Sequence, residues 1–161
     1  MISRTFATSV VALCVWLFGA GAMAGEETPI ALSEVPESVM SAARTAMPEA
    51  RFRSANTERE TDGTLVYEIQ GRTIDNRQIE VDVLPSGEIE EIEVEFTRDL
   101  VPGAVLKAVE SRYPDFEIEF IEASHSASKK VVQYEFAGRV NGDKLDLDVS
   151  ADGRRIQVAD D

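Results

Sequence analysis

Gln78-Ile79-Glu80-Val81-Asp82-Val83 places an apolar side chain at every second position, and Lys144-Leu145-Asp146-Leu147-Asp148-Val149, 66 residues further on, repeats the pattern and its closing Asp-Val. Successive side chains of a strand point to opposite faces, so Ile79, Val81 and Val83 share one face and Glu80 and Asp82 the other. Leu145, Leu147 and Val149 stand opposite Asp146 and Asp148 in the same way. Each hexapeptide reads as a half-buried antiparallel strand with an acidic outer face.

The surroundings of the two hexapeptides match as well. Leu65, Tyr67 and Ile69 precede the first, and Val132, Tyr134 and Phe136 the second, again at period two. Asp75-Asn76 and Asn141-Gly142 lie between these strands and accept positive φ, so each pair predicts a hairpin. Gly87 and Asp152-Gly153 mark the next turn, before strands holding Ile92, Val94 and Phe96, or Ile156 and Val158. An earlier strand is expected where Phe116, Ile118 and Phe120 alternate with Glu117 and Glu119. The corresponding stretch from Arg51 to Glu60 is mostly polar and is read as a strand by analogy.

Val35-Pro36 and Val101-Pro102 open each copy, and proline is pre-shaped for the first turn of a helix, with Ser33 and Asp99 as cap candidates. Val35, Val39, Ala42, Ala43 and Ala46 keep the spacing of one buried helical stripe, partly repeated by Val101, Val105, Ala108 and Val109. Pro48 and Pro114 end the two helices. The expected fold is therefore α+β: two tandem repeats, residues 31–97 and 98–161, each one helix packed on a four-stranded antiparallel sheet. The sheet face away from the helices is expected to be wet and rich in carboxylates, including Glu68, Glu80, Asp82, Glu91, Glu93, Glu95, Glu135, Asp146 and Asp148.

Residues 1–24 read as a cleaved signal peptide, because Arg4 precedes a short apolar run from Val10 to Ala20 and Ala22-Met23-Ala24 supplies small residues for cleavage. The expected location is periplasmic or secreted, with no membrane span. Cys14, the single cysteine, lies in that leader, so the exported chain folds without disulfides. The whole chain carries 30 acidic against 16 basic residues and a formal charge of -14, which repels phosphates and argues against nucleic acid as a partner.

A short helix opened by Val-Pro and closed at Pro, a Tyr-Glu strand, a hairpin, an Asp-Val strand and a turn glycine resemble the PepSY-like family of exported bacterial domains. Pro36, Pro48, Tyr67, Gly87, Pro102, Pro114, Tyr134 and Gly153 carry the resemblance. The tandem form is similar to the β-lactamase inhibitor protein architecture, in which two such units present a sheet surface and hairpin loops to an enzyme. The resemblance implies a protein contact at the loops Ile74 to Arg77 and Asn141 to Lys144. This chain departs from that inhibitor in its lack of disulfides and its few aromatic residues outside the expected core.

No catalytic constellation is visible. His125 is the only histidine and sits in Ser124-His125-Ser126, read as a solvated turn without an orienting partner. One histidine and no exported cysteine do not make a zinc site. Glu91, Glu93 and Glu95 project together, but an exposed flat strand would leave them all ionised, which does not suit acid-base catalysis. No metal site and no cofactor are assigned. The reading is a non-enzymatic exported binding module, in its sharper form an inhibitor or regulator of an envelope or secreted enzyme such as a peptidase. Asp75, Asn76, Asn141, Asp143, Glu80, Asp82, Asp146 and Asp148 are the candidate contacts with a protein partner. The alternative is low-affinity divalent cation binding on the acidic sheet face.

Overall fold

The computed structural model describes residues 27–60 and 62–159; the leader expected at 1–24 lies outside them. Nine strands form one antiparallel sheet in which each strand neighbours the next in sequence. They are β1 (Thr28–Ile30), β2 (Arg51–Arg59), β3 (Leu65–Arg72), β4 (Gln78–Val83), β5 (Ile89–Glu95), β6 (Phe116–His125), β7 (Val131–Val140), β8 (Asp143–Ser150) and β9 (Ile156–Val158). Helix α1 (Glu37–Ala46) joins β1 to β2, and α2 (Gly103–Arg112) lies between β5 and β6. Among the described residues no helix is long and apolar enough to cross a membrane.

This overturns the expected α+β fold of two repeats, each a helix on its own four-stranded sheet. Ile92, Glu93, Val94 and Glu95 of β5 pair with His125, Ser124, Ala123 and Glu122 of β6, so the sheet runs unbroken and the molecule is mostly β with two short helices. The physical reason is the cost of an open edge: β5 and β6 both carry unpaired backbone donors and acceptors unless they meet. The outer edges are blunted instead by β1 and β9, three residues each.

The apolar halves of the strands face the helices as their alternation predicts. Val39, Met40, Ala43 and Ala46 of α1 bury against Ile69, Ile79, Val81, Val83 and Ile92. Val105 and Val109 of α2 bury against Ile121, Tyr134, Phe136, Leu147 and Val149. Phe96 packs on both clusters, tilted against Tyr134 at 6.0 Å between ring centres. Full burial of each such side chain stabilises by roughly 1.5–3 kcal/mol.

Pro36 and Pro102 take the N-cap positions of the two helices without a side-chain cap bond, so Ser33 and Asp99 are not caps. Asp99 lies in a single 3₁₀ turn, Arg98–Leu100. The hairpin turns form where expected, with Asn76 at φ 69°, Asn141 at 53° and Gly142 at 90°.

One strand reading fails by a single residue, with consequences for the site. Phe116 and Ile118 pair with Val140 and Gly138, but the register slips between Ile118 and Phe120, so Phe120 faces Ala137 and Ile121 faces Phe136. A one-residue slip moves every later side chain to the other face. Phe120 thus leaves the helix side, and Ile121 takes the core position. Gly138 allows the close approach at this bulge, because a Cβ there would collide with the Glu117 carbonyl oxygen. Gly71 does the same beside the β2 bulge, where a Cβ would lie 2.5 Å from the Arg51 oxygen.

Candidate functional site

The register puts rows of opposed carboxylates on the face turned away from the helices. Glu68 stands opposite Asp82, Asp82 opposite Glu91, and Glu80 opposite Glu93. Glu95 stands opposite Glu122, Glu122 opposite Glu135, and Glu135 opposite Asp148. Directly opposed side chains of a sheet have Cβ atoms roughly 4.5–5.5 Å apart, where like charges repel.

This face is not the wet, fully ionised surface that alternation alone suggests. Glu68 is 6% exposed and Glu122 8%. Burial, with the Glu80 charge second, pushes Glu68 up to about 8. Burial and the Glu135 charge push Glu122 up to about 8, and burial with Asp148 pushes Glu135 to about 7. Glu80 and Glu91 are raised mainly by burial; Asp82 and Glu93 are held well above the carboxylate range by burial first and neighbouring carboxylates second. The sheet crowds these groups together and withholds water, so the neutral acid is favoured.

Amides share part of the load. Asn56 Nδ2 donates to Glu68 Oε2 at 3.1 Å, and Gln70 Nε2 donates to Glu80 Oε2 at 2.7 Å. Ser124 Oγ donates to Glu135 at 3.4 Å. Asp82 Oδ1 and Asp146 Oδ1 are enclosed without a hydrogen-bond partner. The cations of this face stand near the hairpin end: Arg72 is 3.6 Å from Glu95, Arg139 3.0 Å from Glu119, and Lys144 2.7 Å from Asp146. Among the described residues no Lys or Arg forms an ion pair with Glu68, Glu80, Asp82, Glu93, Glu122 or Glu135.

On β6, β7 and β8 the face opens into a pocket of about 280 Å³. Phe120 and Ala137 line it beside Glu122, Glu135 and Asp148, with Arg139 at its side. Sequence reasoning missed Phe120 and Glu122 as site residues; the signal present was the adjacent apolar pair Phe120-Ile121, which breaks the alternation of Glu117 to Glu122.

Of the sequence candidates, Glu80, Asp82 and Asp148 lie in these rows, and Asp146 lies on the same face opposite Ala137. Asp75, Asn76, Asn141 and Asp143 lie at or beside the β3–β4 and β7–β8 turns. These turns sit at one end of the sheet, four strand spacings or roughly 19 Å apart, and do not converge on the carboxylates. Asp75 is engaged locally, accepting from Thr73 Oγ1 at 2.5 Å and Arg77 Nε at 2.7 Å, which holds its carboxyl below the usual range. His125 is the last residue of β6 rather than part of a solvated turn, with Nδ1 3.1 Å from the Ile92 oxygen and its ring on Phe96. Among the described residues no group of three or more His, Cys, Asp or Glu is arranged to hold a metal ion.

No family model matches the chain, so the PepSY-like resemblance is not confirmed, and no curated protein matches it. Solved structures resemble the fold. A protein of Bacteroides eggerthii described as periplasmic aligns at TM-score 0.61 with 17% identity, covering 77% of this chain and 88% of its own. A BLIP-like protein of Bacteroides fragilis aligns at 0.58 with 18% identity, covering 78% and 88%. A DUF2874 family protein of Bacteroides uniformis aligns at 0.58 with 14% identity, covering 76% and 88%. The inhibitor-like architecture expected from sequence is thereby met at the level of fold.

Proposed function

We propose that the protein is an exported, non-enzymatic binding module of the periplasm that takes a protein partner on its carboxylate face. The observation that carries this reading is the opposed pair Glu122 and Glu135: carboxylates withdrawn from water, in no ion pair with a Lys or Arg among the described residues, on a sheet face that no element of the described chain covers. Such groups cost free energy in the unbound protein, and a complementary charged surface relieves it. The leader at 1–24, the periplasmic description of the B. eggerthii neighbour and the BLIP-like fold support the same reading. In its sharper form the partner is an exported enzyme, such as a peptidase, that the module inhibits or regulates. The flanking turns at Asp75-Asn76 and Asn141 to Asp143 extend the contact.

Chemical crosslinking in intact cells, followed by capture through a tag, tests it. Wild-type protein is expected to retain a specific envelope protein that the variant Glu80→Gln/Asp82→Asn/Asp146→Asn/Asp148→Asn loses by at least tenfold, equivalent to about 1.4 kcal/mol. Equal capture by the folded variant rules out the face as the contact.

A further inference from the structure

The pocket on β6, β7 and β8 has the chemistry of a receptor for one particular side chain. Its carboxylates come from three adjacent strands in cross-strand register, Glu122 opposite Glu135 and Glu135 opposite Asp148. Glu122 is 8% exposed and lines the pocket. No hydrogen-bond donor reaches its carboxylate among the described residues. A buried carboxylate is ordinarily paired, so an unpaired one aimed into a cavity marks a missing donor.

The cations nearby do not fill that role. Arg139 donates from Nε to Glu119 at 3.0 Å and from Nη1 to the Gly142 oxygen at 3.0 Å. Lys144 is bound to Asp146. Both line the pocket, Arg139 with its guanidinium held at Glu119 and the turn and Lys144 with its ammonium on Asp146, and among the described residues no Lys or Arg forms an ion pair with Glu122, Glu135 or Asp148. Beside these carboxylates, the ring of Phe120, turned to this face by the bulge, and the methyl of Ala137 offer an apolar surface.

We propose that this pocket seats one arginine side chain projecting from the protein partner, its guanidinium on Glu122, Glu135 and Asp148 and its methylene stem against Phe120 and Ala137. This rests on the reading of the sheet face as a protein contact. Arginine fits better than lysine on three counts. Its planar fork presents five donors to several carboxylates at once, it is the less strongly hydrated cation, and it stacks on an aromatic face. A volume of about 280 Å³ admits one such side chain.

Seating a guanidinium holds the carboxylates ionised, so binding is coupled to proton release. The charges that face Glu122 are Glu135 on β7, Glu80 on β4, and Glu95 and Glu91 on β5. Asp148 on β8 faces Glu135. All are acidic, so raising the pH strengthens the site, by about tenfold for each unit below the value of a group that must ionise.

Nuclear magnetic resonance titration of the protein with Nα-acetylarginine amide tests the assignment. Saturable shifts are expected at residues 120–122, 135–137 and 146–148, with an affinity at least tenfold higher at pH 8 than at pH 6. The variant Glu122→Gln/Glu135→Gln should lose at least tenfold of that affinity while unfolding at an equal or higher temperature, which separates lost binding from lost fold. Nα-acetylnorleucine amide, with a comparable stem and no charge, should not bind. Shifts spread evenly over the acidic face, equal binding by the variant, equal binding of the norleucine compound, or no saturation by ~100 mM overturn the proposal. Calcium chloride that displaces the arginine compound from the same residues at equal concentration also overturns it. If the arginine compound binds as expected but no envelope partner is captured, the pocket stands and the protein-contact reading falls. If capture survives Glu122→Gln/Glu135→Gln, the contact reading stands and the pocket assignment falls.

Discussion

The β3–β4 half of the carboxylate face and the β6–β8 half meet the same electrostatic problem with different means. In the first, Asn56 and Gln70 donate to Glu68 and Glu80 from within the sheet. In the second, Glu122 has no donor, while Glu135 has Ser124 at 3.4 Å and Asp148 at the far strand accepts from Gln157 Nε2 at 3.3 Å. The first half leaves Asp82 Oδ1 enclosed without a partner, whereas the second opens into the pocket beside Phe120. Buried acids that are satisfied internally belong to the architecture; those left without a donor beside an opening retain their attraction for an external cation. The bulge at Glu119 creates the difference, because it turns Phe120 outward.

The largest effect is expected from closing that bulge. Gly138→Val drives a side chain into the Glu117 carbonyl oxygen and should cost on the order of 3 kcal/mol in urea unfolding, a backbone clash rather than a lost contact. Gly71→Val should cost a similar amount in the other half, and a mild effect at either glycine would break the equivalence of the two bulges.

Next comes the pH dependence of stability. Glu68 and Glu122 at about 8, and Glu135 at about 7, bind protons in the folded state that the unfolded chain releases near 4.5. Their favourable contribution is complete below that lower value and is lost as pH rises through the folded ones. Stability should therefore fall between pH 5 and 8, on the order of 2 kcal/mol for a group such as Glu122, and Glu122→Gln/Glu135→Gln should flatten the slope. Asp62, Asp75, Asp99 and Asp152 are lowered and act only in acid, outside this window. A urea midpoint independent of pH over this range would refute the buried-acid description.

The halves should also respond with opposite sign to single changes at pH 8. Gln70→Ala strips a donor from Glu80 and should destabilise by about 1–2 kcal/mol. Glu122→Gln removes an unpaired charge and should stabilise by about 1 kcal/mol. The smallest effect is expected at the β7–β8 turn, where Asp143→Ala should leave the melting temperature unchanged by calorimetry, since its side chain is exposed.

Much of this was legible in the residues. The alternation of Gln78–Val83 and Lys144–Val149 determined which side chains line each face, and Asn76 and Asn141-Gly142 determined the turns, because period and φ preference act over a few residues. Pro36 and Pro102 likewise set where the helices begin. Only the tertiary structure decided the rest. That β5 pairs with β6, making one sheet of nine strands where two of four were expected, depends on edges far apart in sequence. That Phe120 faces outward depends on one inserted residue, whose place in the strand is set by pairing with β7 rather than by the alternation of β6 alone. That Glu68 and Glu122 are buried acids rather than solvated charges depends on neighbours brought across strands, since a strand alone leaves its polar face in water and only the assembled sheet removes it.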